Sequence, residues 1–452
     1  MQSKTIDFGK TKVSRLFTKQ LLPTVLGMIF SAVFITTDGI FVGRGVGSDA
    51  LAAVNIASPL YIFTTGVGLM FGMGGAILAS INLSKGKYKA ASINATQATV
   101  VSTIFVALFT IAAISKPYTT LKFLGCPDGL YELAAEYLFW YTLFSVVLAL
   151  MNSLPFFVRL SKPNVAMWCL IIGTTINIVL DYIFIFIFKW GLFGAAIATA
   201  IGESVAVIIM LYYMIKRSPQ VKLKRIKLKL KSIKFALKES NRVMQLGVSA
   251  FLSEVTIALM LLTGNYVFKN HLGTNGVAAF SIIGYLFPII FMVFNATIQS
   301  AQPIISYNYG LKSKKRVTDT FKLALGTALG FGLLFVLVTF LFGDQVVTLF
   351  IANTASDAWV YASEGLPLFS VDYLFFAVNI AVIGFYMSIG NTKRATLFTI
   401  LRGVMPIICF LLLPRWWGVV GIWVAVGVGE GLTTFVILST RLRDRILAKR
   451  LS

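Results

Sequence analysis

Residues 190–203 read "WGLFGAAIATAIGE", and residues 417–430 read "WGVVGIWVAVGVGE". They align without a gap at an offset of 227. Trp190 pairs with Trp417, Gly191 with Gly418, Gly194 with Gly421, Gly202 with Gly429 and Glu203 with Glu430. The offset recurs upstream. "FSVVLA" (144–149) matches "FSVDYL" (369–374) at 225, and "GSDALAAV" (47–54) matches "GTNGVAAF" (273–280) at 226. Small residues are common in membrane helices, where they let backbones approach. Chance similarity of that kind does not hold the offset within 225–227 across three segments. The chain is a tandem repeat.

The repeated unit is a membrane unit. Of 452 residues, 57% are hydrophobic and 13% are charged, against about 25% charged in a soluble domain. Mean hydropathy is +0.84. The apolar runs are too long and too unalternating for barrel strands, which need about 10 residues of alternating pattern. Spans of helical length fall near 17–42, 51–80, 95–115, 131–158, 165–188, 192–215, 243–268, 277–305, 320–343, 360–389, 395–413 and 418–440. Six spans per half give both halves the same orientation, the plan of parallel repeats. The expected fold is an all-α polytopic membrane protein, with twelve transmembrane helices in two pseudo-symmetric six-helix lobes around a central cleft. The expected divisions are an N-terminal lobe (1–215), a basic cytoplasmic linker (216–242), a C-terminal lobe (243–440) and a cytoplasmic tail (441–452). The basic, polar N-terminal stretch lacks a short apolar region with a cleavage site, so the first span is expected to remain.

Charge sets an orientation. Assigned to alternating loops, 34 of the 40 Lys and Arg fall on the side of both termini. Only Arg44, Lys116, Lys122, Lys189, Lys269 and Arg415 fall opposite. The positive-inside rule places both termini in the cytoplasm. The net charge of +23 is therefore a topology signal. Its densest run, "KRSPQVKLKRIKLKLKSIKFALKESNR" (216–242), nearly lacks the aromatic residues that stack on nucleic acid. Anionic lipid is the expected partner, and no nucleic acid is expected. Within the run, "VKLKRIKLKLK" alternates like a surface strand or an interfacial segment.

The rarer residues exclude other classes. Cys126, Cys169 and Cys409 are widely spaced, and His271 is the single histidine. Neither a metal-binding spacing nor a nucleophile–histidine group can be assembled. No enzyme activity and no cofactor is expected.

Among the 17 acidic residues, those inside the spans include Asp38, Asp181, Glu203, Glu254, Asp372 and Glu430. A carboxylate at a helix centre costs about 2.5–3.5 kcal/mol on insertion scales, so such residues face an interior and bind ions or protons. Glu203 and Glu430 repeat, which suits packing or helix-end capping. The others do not repeat. Asp181 shifted by 227 meets Ile408, and Asp38 shifted by 226 meets Gly264. In "TTINIVLDYIFIF" (174–186), Asn177 and Asp181 share a helix face. With Asp38 and Thr199, two carboxylates, an amide oxygen and a hydroxyl suit a proton or a hard monovalent cation such as Na+. Pro23, inside the first span, is a point where that helix can bend.

These residues carry a family resemblance over nearly the whole chain. "NIVLDYIFIF" followed by "GLFGAAIATAIGE" resembles the Asn–x–x–x–Asp signature and glycine-rich sixth span of the multidrug and toxic compound extrusion (MATE) transporters. The overall look is similar to their bacterial small multidrug efflux subgroup. "SIGNTKRA" in the second half keeps a short family motif that "RLSKPNVA" in the first half departs from. The resemblance implies a cation site at Asp38, Asn177, Asp181 and Thr199, and helix bending at Pro23. In another branch the coupling residues match Glu254 and Asp372. It implies a monomeric antiporter of the bacterial cytoplasmic (inner) membrane, exporting organic, often cationic, compounds in exchange for H+ or Na+. Phe34, Tyr61, Met70, Phe71 and Phe157 are candidate substrate walls. The alternative is a lipid-linked oligosaccharide flippase, which needs cationic residues in its cleft to hold pyrophosphate. Here the spans carry acids instead.

Overall fold

A computed structural model describes residues 7–124, 126–224, 230–351 and 353–450. The described chain is helical throughout. In order run α1 (Val13–Gly45), α2 (Ser48–Ser84), α3 (Tyr88–Ser115), α4 (Pro117–Phe123), α5 (Tyr131–Leu143), α6 (Ser145–Arg159), α7 (Pro163–Asp181) and α8 (Gly191–Tyr212). Then follow α9 (Leu230–Gly310), α10 (Lys314–Phe350), α11 (Asp357–Ser370), α12 (Asp372–Ser388), α13 (Thr392–Leu412) and α14 (Pro414–Arg450).

The pattern of burial is that of a protein in lipid. Along α3, Ile104, Leu108 and Ile111 are 53–65% exposed, whereas Asn94, Gln97, Thr99 and Ser102 are buried. Oil solvates the outer aliphatic side chains, so polar groups turn inward to find one another. Among the described residues, ten helices are individually long and apolar enough to cross a bilayer, and α5 with α6, bent by 47°, makes an eleventh. The qualifying stretch Leu237–Gly310 is 74 residues long. At 1.5 Å per residue it would reach about 110 Å as one rod, against a hydrocarbon core of about 30 Å. Gly273, at φ 63° and ψ −151°, divides it into two. That yields the twelve spans expected.

The repeat has a backbone cause. Gly47 and Gly273 both have positive φ, as do Gly191 and Gly418. Residues lacking a Cβ occupy this region freely, so each half turns its chain at the same two places. A third matched turn pairs Gly86 with Lys312, at φ 69° and 60°.

Two compact units form. The first holds the chain up to Glu254, together with Gln299–Val317 and Ser388–Gly390. The second holds Val255–Ile298, Thr318–Met387 and the chain from Asn391 onward. Within the first, α7 packs on α1 and α8, and α2 packs on α3 and α6. The last turns of α9 are tied into this unit by polar bonds. Arg159 donates to Gln299, and Gln302 Nε2 donates to the Met73 carbonyl at 3.2 Å. Arg316 Nη2 donates to the carbonyls of Phe8 and Thr11 at 2.9 and 2.6 Å. Within the second, α14 packs on α11 and α13.

The basic stretch 216–242 departs from its expected form. From Leu230 it is already helix. Residues 221–224 do not pair as a strand. They lie on α3, where the Lys222 and Lys224 amides donate to Ser92 Oγ and Thr96 Oγ1 at 3.2 and 3.0 Å. Val221 is buried while Lys222 and Lys224 are exposed, which is what the alternation encodes. Residues 225–229 of this run, and 451–452 of the tail, lie outside the described residues.

Candidate cation site in the first unit

The site begins with two glycines. A Cβ added to Gly202 of α8 would lie 2.6 Å from the Gly173 carbonyl of α7 and 2.8 Å from the Asn177 Cβ. Only glycine permits this approach, and it sets the rotation of α7 against α8. Asn177 Nδ2 then donates to Thr199 Oγ1 at 3.2 Å. Asp181, one turn beyond Asn177, follows it on the same face.

Aromatic contacts bring α1 to this face. Asp181 is the last residue of α7, and Tyr182–Ile187 continue as π-helix, a form that recurs at functional sites. The Phe41 ring of α1 meets Tyr182 at 6.4 Å and Phe186 at 5.5 Å, edge-on to the latter. Asp38, three residues before Phe41, shares that side of its helix. Its charge acts on both Asp181 and Glu203.

The oxygens so gathered lack donors. Asp181 is 0% exposed. Both its carboxylate oxygens, Asp38 Oδ1 and Asn177 Oδ1 are buried with no hydrogen-bond partner. A buried acceptor left unpaired costs about 1–3 kcal/mol, more when charged. Four in one place fit a proton or a small cation, which the protein itself does not supply. The donor set also suits a hard ion. Among the described residues no cluster of three or more His, Cys, Asp or Glu suited to a metal forms.

Beside the acids lies an aromatic group of which the sequence singled out only Tyr61. Tyr137 and Tyr141 of α5 stack at 5.6 Å, and Tyr61 of α2 meets Tyr141 at 6.0 Å. The charges of Asp38, Asp181 and Glu203 act on Tyr137. Tyr141 Oη and Thr142 Oγ1 are buried without partners. The available signal was "WYT" (140–142), polar aromatics one turn past Tyr137.

Other sequence candidates fall elsewhere. Phe34 and Tyr61 are half-buried. Phe71 and Phe157 are 0% exposed, and Phe157 fills the space beside Gly75. In this structure both are packing residues rather than substrate walls. Met70 is buried, its carbonyl lying against Gly247. Pro23 is buried within α1, which stays helical through it. Glu254 belongs to the first unit and Asp372 to the second.

One correction concerns a cation. The loop count gave Arg402 to a cytoplasmic loop. It lies within α13, 5% exposed, with Nε 2.9 Å from Glu430 Oε1. Glu430 is thus an ion-paired residue rather than a helix cap.

Comparison with known proteins agrees with this architecture. The MatE family model matches residues 23–183 and again 250–411, two blocks beginning 227 residues apart. The multidrug export protein MepA of Staphylococcus aureus (strain bovine RF122 / ET3-1) is 26% identical, over 97% of this chain and 96% of its own. That of Staphylococcus haemolyticus (strain JCSC1435) is 24% identical, over 95% and 94%. A solved structure, an outward-facing multidrug resistance MATE family transporter of the MOP superfamily, superposes with a TM-score of 0.89. It is 21% identical and covers 99% of both chains. Matched in both halves and over most of its length, the chain belongs to the MatE family of transporters.

Proposed function

We propose that this chain is a secondary active multidrug efflux transporter that exports organic, often cationic, compounds in exchange for H+ or Na+. The observation carrying this reading is the set of unpaired buried oxygens on Asp38, Asn177 and Asp181 beside Thr199. The exchanged cation enters there and is shared by the two carboxylates, lowering their combined charge by one. Tyr61, Tyr137 and Tyr141 offer a π-rich wall to an organic cation, and Phe34 lies on the same helix as Asp38. Cation and substrate then compete for one set of negative charges, so the binding of one favours the lobe state that releases the other. One charge moving through 100 mV supplies about 2.3 kcal/mol.

The chain would work as a monomer in the bacterial inner membrane with both termini cytoplasmic, as the Lys and Arg bias supports. Exposed Lys216, Arg217, Lys222 and Lys224 would meet anionic lipid headgroups. For a flippase, a cation free to hold pyrophosphate is needed, and buried Arg402 is already bonded to Glu430.

The test uses the full chain in vesicles, with efflux of ethidium under separately imposed pH and Na+ gradients. Asp181→Asn is expected to abolish gradient-driven efflux, and the gradient that drives the wild type identifies the ion. Unchanged coupled efflux by Asp181→Asn would refute the site.

A further inference from the structure

The acids not used by this pocket lie in the second unit. Asp372 opens α12 and is 0% exposed, and neither of its carboxylate oxygens meets a donor. It packs on α14 at Gly427, where an added Cβ would sit 3.6–3.9 Å from its N, Cα and Cβ. Glu430 follows Gly427 by three residues, on the same face. The charges that act on Asp372 are those of Glu430 and Arg402.

Glu430 itself is fully engaged. Arg402 Nε donates to Oε1 at 2.9 Å, and Asn379 Nδ2 donates to Oε2 at 2.6 Å. Thr434 Oγ1 donates to Asn379 Oδ1 at 2.8 Å and so holds the amide in place. The Arg402 guanidinium lies 4.2 Å over the Phe376 ring. Every polar neighbour of this carboxylate belongs to α12, α13 or α14.

The repeat supplies the comparison. Glu203 and Glu430 occupy one repeat position, each following a glycine that sits tightly on the neighbouring helix. Gly202 packs on Asn177, and Gly429 packs on Pro406. Asn177 therefore corresponds to Pro406. One turn earlier, Gly173 corresponds to Arg402. The first unit has a glycine where the second has a guanidinium. The first leaves Asp38 and Asp181 without a cation, and the second brings one for Glu430.

We infer that Arg402 is a tethered cation that takes, in the second lobe, the place an exchanged cation takes in the first. Glu430 is thereby silent in transport. The inference rests on the coupling pocket proposed above.

The experiment uses the purified full-length chain. Bound H+ is read from the infrared band of protonated carboxyls, and bound Na+ from 22Na+ equilibrium binding. Arg402→Gln is expected to raise one of the two by about one equivalent per chain, because Glu430 must then recruit an external cation. Adding Glu430→Gln to that variant is expected to remove the gain. A folded Arg402→Gln chain showing no gain in either signal would overturn the inference. Where Arg402→Gln does not fold, the double variant Arg402→Met/Glu430→Met decides, since it removes both charges together. Unchanged cation binding and unchanged coupled ethidium efflux support a silent pair, and loss of either refutes it. Asp181→Asn separates the two proposals. If it leaves the wild-type cation signal intact, the first-lobe pocket is wrong, whatever Arg402 does.

Discussion

A carboxylate in oil is informative only together with its partners. Asp181 and Glu430 are equally buried, at 0% and 2% exposure. One has no donor, and the other has an arginine and an amide. The first is the residue proposed to exchange a cation, while the second is already ion-paired. Thr199 joins the proposed set through its bond to Asn177. Thr199→Val removes the hydroxyl and leaves the amide unpaired, at about 1–3 kcal/mol. It is expected to weaken apparent affinity for the coupling ion about tenfold, read from the ion dependence of ethidium efflux. Thr199→Ser keeps the hydroxyl and is expected to behave as the wild type. The types at Asp38, Asn177, Asp181 and Thr199 were legible in the sequence, because acids and amides are rare in apolar runs. Tyr137 and Tyr141 were not. Aromatic residues are ordinary membrane-helix content, and only the placement of α5 brings these two among the acids.

At the level of elements, two glycines decide the site. The α7–α8 contact closes at Gly173 and Gly202, and a methyl at Gly202 meets backbone rather than a movable side chain. Gly202→Ala is expected to push α8 off α7, lowering stability by about 1–3 kcal/mol. Coupled efflux falls with it, because Asn177 and Thr199 separate. The control is Gly326→Ala in α10, which meets nothing within 4 Å. There the gain in helix propensity is at most about 1 kcal/mol, and neither melting nor efflux is expected to worsen. The repeat pairs Gly202 with Gly429, so the importance of the position was readable. Its consequence was not, because in the second half the same close approach leads to Arg402 rather than to unpaired carboxylates. The register also shifts. Counted along the chain Asp181 meets Ile408, but the packing of Gly202 and Gly429 matches it with Phe410.

For the whole molecule, the proposed orientation rests on the Lys and Arg bias and is checked with a native residue. Cys126 is partly exposed, while Cys169 and Cys409 are buried. With both termini inside, Cys126 follows the third span on the outer side. A membrane-impermeant maleimide is expected to label it on intact cells. In a Cys126→Ser chain carrying Lys224→Cys, labelling should appear only after permeabilisation, and the reverse pattern would invert the topology. By itself, the sequence determined the membrane class, the twelve spans, the tandem repeat and the acids that interrupt it. Those follow from composition and from periodicity along the chain, which the solvent enforces on each helix separately. The tertiary structure decided which acids remain unpaired. That depends on how each helix is rotated against its neighbours, and the rotation is set by glycine contacts and ring packing between segments distant in sequence.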